Sequence, residues 1–224
     1  CKWTSVDYVA TTEADRDHSF SNEQVFVLKV EKMEENIQHA LSLDVRWVSG
    51  SSVSVSQSDA NKIYPYSTDW RGWGTLYGWS SVLPVSGTYR MPTKLWQYED
   101  MPAAYKCLLP LIRMPEMKLI VAECDPAGEG VKIINEIREH RGITDVFPTG
   151  ATTGEVMAEI RNEYQREFYC EGILWYYYKR LNSPTIPYYS YGYSYNQNMD
   201  RGKYVWPMPE EEIEFGNRNS KTKA

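Results

Sequence analysis

From Glu155 to Arg180 the chain runs EVMAEIRNEYQREFYCEGILWYYYKR, a helix-forming stretch with glutamates at 155, 159, 163, 167 and 171. Like charges repeated at i, i+4 disfavour an isolated helix by roughly 0.2–0.5 kcal/mol per pair. A fold that keeps such a row must solvate the face or bring cations to it from another element. Arg138 and Arg141 upstream are candidate partners, with Arg161 and Arg166 on the stretch itself. We expect partly buried Arg–Glu pairing in which Arg138, Arg141, Glu163, Glu167 and Glu171 have a structural and not a catalytic role. On charge alone, a solvated acidic face stays open.

The chain has 224 residues, enough for one large domain or two small ones. Its net charge of -6, with no Lys/Arg cluster along a helix, gives no electrostatic footprint for nucleic acid. No run approaches the roughly 18 consecutive apolar residues of a membrane span. The four cysteines, Cys1, Cys107, Cys124 and Cys170, show neither CxxC spacing nor a dense framework. The last three sit among apolar residues and are expected to pack as small hydrophobes. His18, His39 and His140 are too scattered for a zinc site, so neither a metal nor another cofactor is expected.

Composition changes near residue 101. Residues 1–100 are rich in Ser, Thr, Gly and Trp and form a loop-rich, aromatic-rich part; residues 101–224 read as helices with an irregular tail. In the first part, Asn22–Val30 alternates apolar positions as an extended segment does, and Glu31–Leu43 is either helical or lies over the surface. Ser49–Ser58 alternates Ser and Val, as a strand or an exposed loop would. Trp70–Trp79 carries too many glycines for a regular element.

Three helices are expected beyond. Pro115–Cys124 begins with proline at a first helical position. Gly130–Arg141 places Val131, Ile134 and Ile137 on one face and has Gly142 as a natural C-cap. The third opens with the capping-box pattern Thr152-x-x-Glu155 and buries Val156, Ile160, Tyr164, Phe168 and Trp175. The second and third, joined by the loop at 142–151, form a helical hairpin of the tetratricopeptide kind.

Four pieces in series resemble the C-terminal half of the SusD/RagB family of bacterial outer-membrane nutrient-binding lipoproteins. PLIRMPEMKLIVAE at 110–123 is similar to the family's R-x-x-E-x-x-L-x-x-A-E helix, through Arg113, Glu116, Leu119, Ala122 and Glu123. INEIREHRGI at 134–143 is similar to N-x-x-R-x-R-A-G, through Asn135, Arg138, Arg141 and Gly142. NEYQREFYCEGILWYYYKR at 162–180 carries Glu163, Glu167, Glu171, Gly172, Trp175 and Arg180 of E-R-x-x-E-x-x-x-E-G-x-R-W-x-D-L-x-R. YVWPMPEEEIEFGN at 204–217 resembles the closing W-P-I-P-x-x-E-I-x-x-N. Leu174 and Tyr177 replace the family's usual Arg and Asp, an exchange of a salt bridge for apolar packing. The chain is also about half the family's usual length.

The resemblance implies a mainly α-helical fold with tetratricopeptide-like hairpins and long irregular aromatic-rich loops. It implies a lipid-anchored protein on the extracellular face of the outer membrane of a Bacteroidetes-type cell. Such a protein binds a glycan or other nutrient and delivers it to a SusC-like TonB-dependent transporter. Cys1 invites a lipid-anchor reading, although CKW also resembles the end of a mid-family helix, with an N-terminal half missing.

Aromatic rings present flat faces to sugar C–H groups, and neighbouring polar groups reach hydroxyls. Trp70, Trp73, Tyr77 and Trp79 lie among glycines beside Asp69 and Arg71. Tyr188, Tyr189, Tyr191 and Tyr193 belong to YYSYGYSY, followed by Asn196, Gln197 and Asn198. These eight aromatics are candidate ligand contacts; packing beneath a loop or against helices is the alternative for each group. No catalytic residue is marked: GxSxG, Walker, HExxH and dinucleotide patterns are all missing. Two rival functions remain, a module that docks the transporter without touching sugar, and a glycoside hydrolase using a glutamate pair.

Overall fold

The computed structural model describes residues 1–6, 16–33, 35–36, 55–72, 79–82, 89–92, 94–95, 97, 101–104, 106–190, 193–206 and 209. By contact density the chain divides into two units, Cys1–Leu174 with Tyr189–Ser194, and Trp175–Tyr188 with Tyr195–Ala224.

In the first unit a 3-10 turn at Ser21–Glu23 leads into β1 (Gln24–Lys29), where the alternating apolar positions predicted an extended segment. β1 pairs antiparallel with β5 (Leu108–Arg113), with Leu28 opposite Leu109 and Gln24 opposite Arg113. This ladder crosses the compositional change near residue 101. β2 (Val55–Ser56) pairs with β4 (Tyr89–Pro92), which also pairs with β3 (Trp79–Val82), in the order β2-β4-β3. Ser56 then caps α1 (Gln57–Ile63), its hydroxyl accepting from the Asp59 amide at 3.1 Å. Regular elements therefore run through the half of the chain whose composition predicted loops. The Trp70–Trp79 stretch opens with a 3-10 turn, Trp70–Gly72. Most of Glu31–Leu43 lies outside the described residues.

β5 passes directly into α2 (Met114–Cys124), with Pro115 in the first turn. A single π turn at Pro126–Gly130 joins it to α3 (Val131–His140). α3 ends at Arg141 and at Gly142, whose φ of +78° suits glycine; a Cβ there would lie 2.8 Å from the Thr68 carbonyl oxygen. α4 (Thr153–Phe168) starts at the capping box, with Thr152 Oγ1 accepting from the Glu155 amide and Glu155 Oε2 accepting from the Thr152 amide at 2.7 Å. α2, α3 and α4 pack on one another, burying Leu119, Ala122, Ile134, Ile137, Val156, Ile160 and Phe168.

The stretch from 155 to 180 is two helices, not one. Tyr169 is extended, while Cys170 and Gly172 have φ of +61° and +81°, which stops α4 before α5 (Ile173–Arg180) begins. Trp175 thus leaves the α4 face on which helical spacing placed it. Beyond α5, β6 (Thr185–Ser190) and β7 (Tyr193–Asn198) form a two-stranded sheet, and a 3-10 turn follows at Arg201–Tyr204. Among the described residues, no helix is long and apolar enough to cross a membrane.

Candidate functional site

The glutamate row faces a buried ionic cluster in the first unit. Among the described residues, six cations (Arg71, Lys94, Arg113, Arg138, Arg141, Arg166) meet six carboxylates (Glu23, Asp69, Glu159, Glu163, Glu167, Glu171), equal in number and opposite in formal charge. At its centre, Glu167 Oε1 accepts from Arg113 Nη1 and Arg141 Nη2, both at 2.8 Å. Its Oε2 accepts from Arg71 Nη1 at 2.7 Å and Arg141 Nε at 3.0 Å. Arg141 also forks onto Glu23 with two 2.8 Å bonds, and Glu23 Oε2 accepts from Arg113 Nη1 at 2.9 Å.

The rim of the cluster is equally occupied. Arg71 Nη2 donates to Asp69 Oδ2 at 2.7 Å and Nη1 to Glu163 Oε2 at 3.2 Å. Arg166 Nη2 donates to Glu163 Oε1 at 2.6 Å and closely to Glu159 Oε1, which also accepts from Arg138 Nη2 at 2.6 Å. Glu171, beyond the end of α4, accepts from Lys94 Nζ at 2.8 Å and from Arg113 Nη2 and Nε, each at 2.9 Å. The Phe20 ring lies under Arg113, 4.2 Å from the guanidinium carbon to the ring centroid. Arg141 sits 5.1 Å from both the Trp3 and Trp70 rings.

Burial opposes charge throughout this cluster, and the partners decide the outcome. For Glu167, burial raises the pKa, but Arg141, Arg113 and Arg71 outweigh it and hold the carboxyl well below the usual range. Glu163 is likewise lowered, with Arg166 and Arg71 overcoming its burial. At Lys94 burial wins, and its pKa is lowered despite Glu171. Burial pushes the Cys170 thiol up to about 12. Arg71, Arg113, Arg141, Glu23, Glu163 and Glu167 are fully enclosed and mutually bonded, so they offer no acid or base to a substrate. The bonds of the cluster join α3, α4 and β5 to the 3-10 turns at 21–23 and 70–72.

Sequence reasoning paired the row with Arg138, Arg141, Arg161 and Arg166. The structure adds Arg71, Arg113 and Lys94 and leaves Arg161 exposed. Asp69 and Arg71, placed beside a ligand platform by proximity in sequence, are wholly buried here. Trp70 is 2 % exposed and its Nε1 donates to the His140 carbonyl at 3.1 Å, so its ring is a packing surface and presents no face to a ligand. Trp73, Tyr77 and Tyr191 lie outside the described residues. Trp79 starts β3, Tyr189 is in β6 and Tyr193 starts β7, with side chains outside the description. Glu155 stands apart from the cluster as the capping-box partner of Thr152. Cys124 is exposed, not packed, because it falls on the outer side of α2.

The second unit carries several accessible aromatics. Tyr188 on β6 and Tyr195 on β7 are 42 % and 51 % exposed, their ring centroids 4.9 Å apart at 33°. Trp206 is 77 % exposed and borders a cavity of about 260 Å³ with Trp175, Lys203, Tyr204 and Val205. Tyr204 anchors that wall, its hydroxyl donating to the Ser183 carbonyl at 2.9 Å and its ring lying 5.4 Å from that of Trp175. Trp206 was not singled out from sequence; the signal was a tryptophan beside Pro207 in a polar tail.

The fold is similar to those of two solved structures. One is a SusD superfamily protein from Bacteroides vulgatus ATCC 8482, at TM-score 0.55 and 22% identity, covering 72% of this chain and 37% of that one. Another is a SusD-like carbohydrate binding protein from the same organism, at TM-score 0.55 and 18% identity, covering 86% of this chain and 44% of that one. The chain thus spans less than half the length of either. A search of curated proteins finds no match. The profile of the SusD family matches residues 10–221, and the chain belongs to that family.

Proposed function

We propose that this chain is a glycan-binding part of a cell-surface SusD-type protein, one that holds an oligosaccharide by stacking and hydrogen bonding and cleaves no bond. The bound glycan passes to a SusC-like TonB-dependent transporter, and the protein is held at the outer membrane by a lipid anchor. The observation that carries the reading is the paired, accessible Tyr188 and Tyr195 rings in a member of the SusD family. Two tyrosines at a shallow angle offer rigid amphipathic area at low entropic cost, which suits the C–H faces of a pyranose. The likeness to a SusD-like carbohydrate binding protein supports the same class of ligand. Tyr189, Tyr191, Tyr193, Trp73, Tyr77 and Trp79 are further proposed glycan contacts. Helices α2–α4 stand for the tetratricopeptide-like hairpins of the family.

Native affinity electrophoresis in gels containing single polysaccharides tests this reading. Retardation by at least one polysaccharide is expected, reduced in Tyr188→Ala, with no reducing ends released on incubation. Migration unaffected by every polysaccharide would favour a transporter-docking module. Release of reducing ends would make the chain a hydrolase and end the non-catalytic reading.

A further inference from the structure

The cavity of about 260 Å³ beside Trp206 is lined by Trp175, Lys203, Tyr204, Val205 and Trp206, and Lys203 alone among these is charged. Its volume falls under the roughly 300–1,000 Å³ of pockets that enclose drug-sized ligands, so it suits one sugar residue and not a chain. The wall is tied down at several points. Lys203 Nζ donates to the Asn198 carbonyl at 2.6 Å, at the end of the strand that carries Tyr195. Asp200 Oδ1 accepts from the Lys203 amide at 3.0 Å and so caps the 3-10 turn Arg201–Tyr204. The Tyr204 hydroxyl is fixed on the Ser183 carbonyl. Trp175 contributes its ring, and its buried Nε1 has no hydrogen-bond partner among the described residues. A buried donor left unpaired is costly, and each such group in a native fold calls for a reason, an unfilled binding site among them.

Lys203 keeps two of its three ammonium donors after the bond to Asn198 and, among the described residues, has no carboxylate partner. Its setting is basic as well. The second unit holds seven Lys/Arg against five Asp/Glu, whereas the whole chain holds 24 against 30. Among the described residues of that unit, Lys179, Arg180, Arg201 and Lys203 stand against Asp200 alone. A positive region in an acidic chain draws anions and discriminates among partners by charge. We propose that the cavity is a subsite for a single anionic sugar residue, its ring laid on Trp206 and its carboxylate or sulfate held by Lys203. The 77 % exposed Trp206 ring offers a flat face to sugar C–H groups, and an ammonium is a point charge that serves either kind of oxyanion. This subsite rests on glycan binding by the second unit and adds the charge of the sugar to it.

Isothermal titration of the full chain with two matched pairs of probes, at one ionic strength, tests the subsite. One pair is an oligogalacturonate and the same oligosaccharide after reduction of its carboxyl groups; the other is a sulfated dextran oligosaccharide and its unsulfated parent. At least one charged probe is expected to bind about tenfold or more tighter than its neutral counterpart. A preference in the first pair identifies a uronate as the occupant, and one in the second a sulfated sugar. Lys203→Met is expected to bring the ratio of charged to neutral affinity close to one. Arg201→Met removes the same charge from the same turn at a residue that does not line the cavity, and should leave the ratio close to the parent's. Equal losses in the two variants would assign the preference to the net charge of the unit and overturn the subsite. Neutral and charged probes bound equally well by the parent would overturn it too, while leaving glycan binding intact. Failure of all four probes and of neutral polysaccharides in affinity gels would end the glycan reading, and the subsite with it.

Discussion

The two units of this chain use similar residue types to opposite ends. In the first, charged and aromatic side chains are turned inward, with arginines laid over Phe20, Trp3 and Trp70 and bonded to carboxylates. In the second, Tyr188, Tyr195 and Trp206 are open to solvent. What separates them is the number of surrounding elements. The first unit brings three packed helices and two 3-10 turns to one point, so a guanidinium can lose water and still be held by several carboxylates. Among its described residues the second has most of α5, parts of two paired strands and a 3-10 turn, and it leaves Tyr188, Tyr195 and Trp206 exposed while Tyr177, Tyr178 and Tyr204 are buried.

Breaking the inward arrangement has the largest expected effect. Glu167→Gln leaves Arg71, Arg113 and Arg141 short of an anion in a buried site, and should cost about 3–5 kcal/mol in urea unfolding. A loss below about 1 kcal/mol would mean the cluster is hydrated. Trp70→Ala should cost about 3 kcal/mol, as truncation of a buried ring does, and should not weaken glycan binding by the protein that remains folded. A selective loss of binding would return Trp70 to the ligand surface.

Acid sharpens the same contrast. Glu163 and Glu167 have folded pKa values below their unfolded ones. Their contribution is therefore fully present above the unfolded carboxylate range near 4.3 and is lost as pH falls below it toward the folded values. Urea midpoints should be flat from pH 7 to about 5 and fall steadily below that. Glu167→Gln should flatten the fall; an unchanged slope would place the titrating groups elsewhere.

Smaller effects lie at the surface. Thr152→Ala removes the α4 cap and should cost about 1 kcal/mol. Tyr188→Ala should change stability by less than about 0.5 kcal/mol, since an exposed side chain loses little packing. Its effect belongs in binding, where losing one stacked ring weakens the glycan complex up to about tenfold.

Much of the α-helical region was legible because its signals are local. The capping box at Thr152 and Glu155, the proline opening α2 and Gly142 at the end of α3 each lie within a few residues of what they terminate. The need for cations opposite the glutamates was legible from their repeat. Arg138, Arg141 and Arg166 were legible as partners; Arg71 and Arg113 were not, reaching Glu167 from 96 and 54 residues away in sequence, and Glu23 meets Arg141 across 118. Such pairings depend on topology that no local pattern encodes. The break between α4 and α5 was hidden because only Gly172 marks it, while Cys170 takes a positive φ that its residue type disfavours. Trp70 looked like a platform because glycines surround it, yet Gly72 serves close packing on Tyr64, where a Cβ would lie 2.7 Å from that side chain.

The most direct test of the division between a buried ionic frame and an outward aromatic face is one double variant, Tyr188→Ala with Trp206→Ala. It is run beside the parent protein in polysaccharide affinity gels and in urea. The account predicts that the parent is retarded, that the variant migrates as in a gel without polysaccharide, and that the two unfold at the same urea midpoint. A variant retarded as strongly as its parent, at an unchanged midpoint, would contradict it.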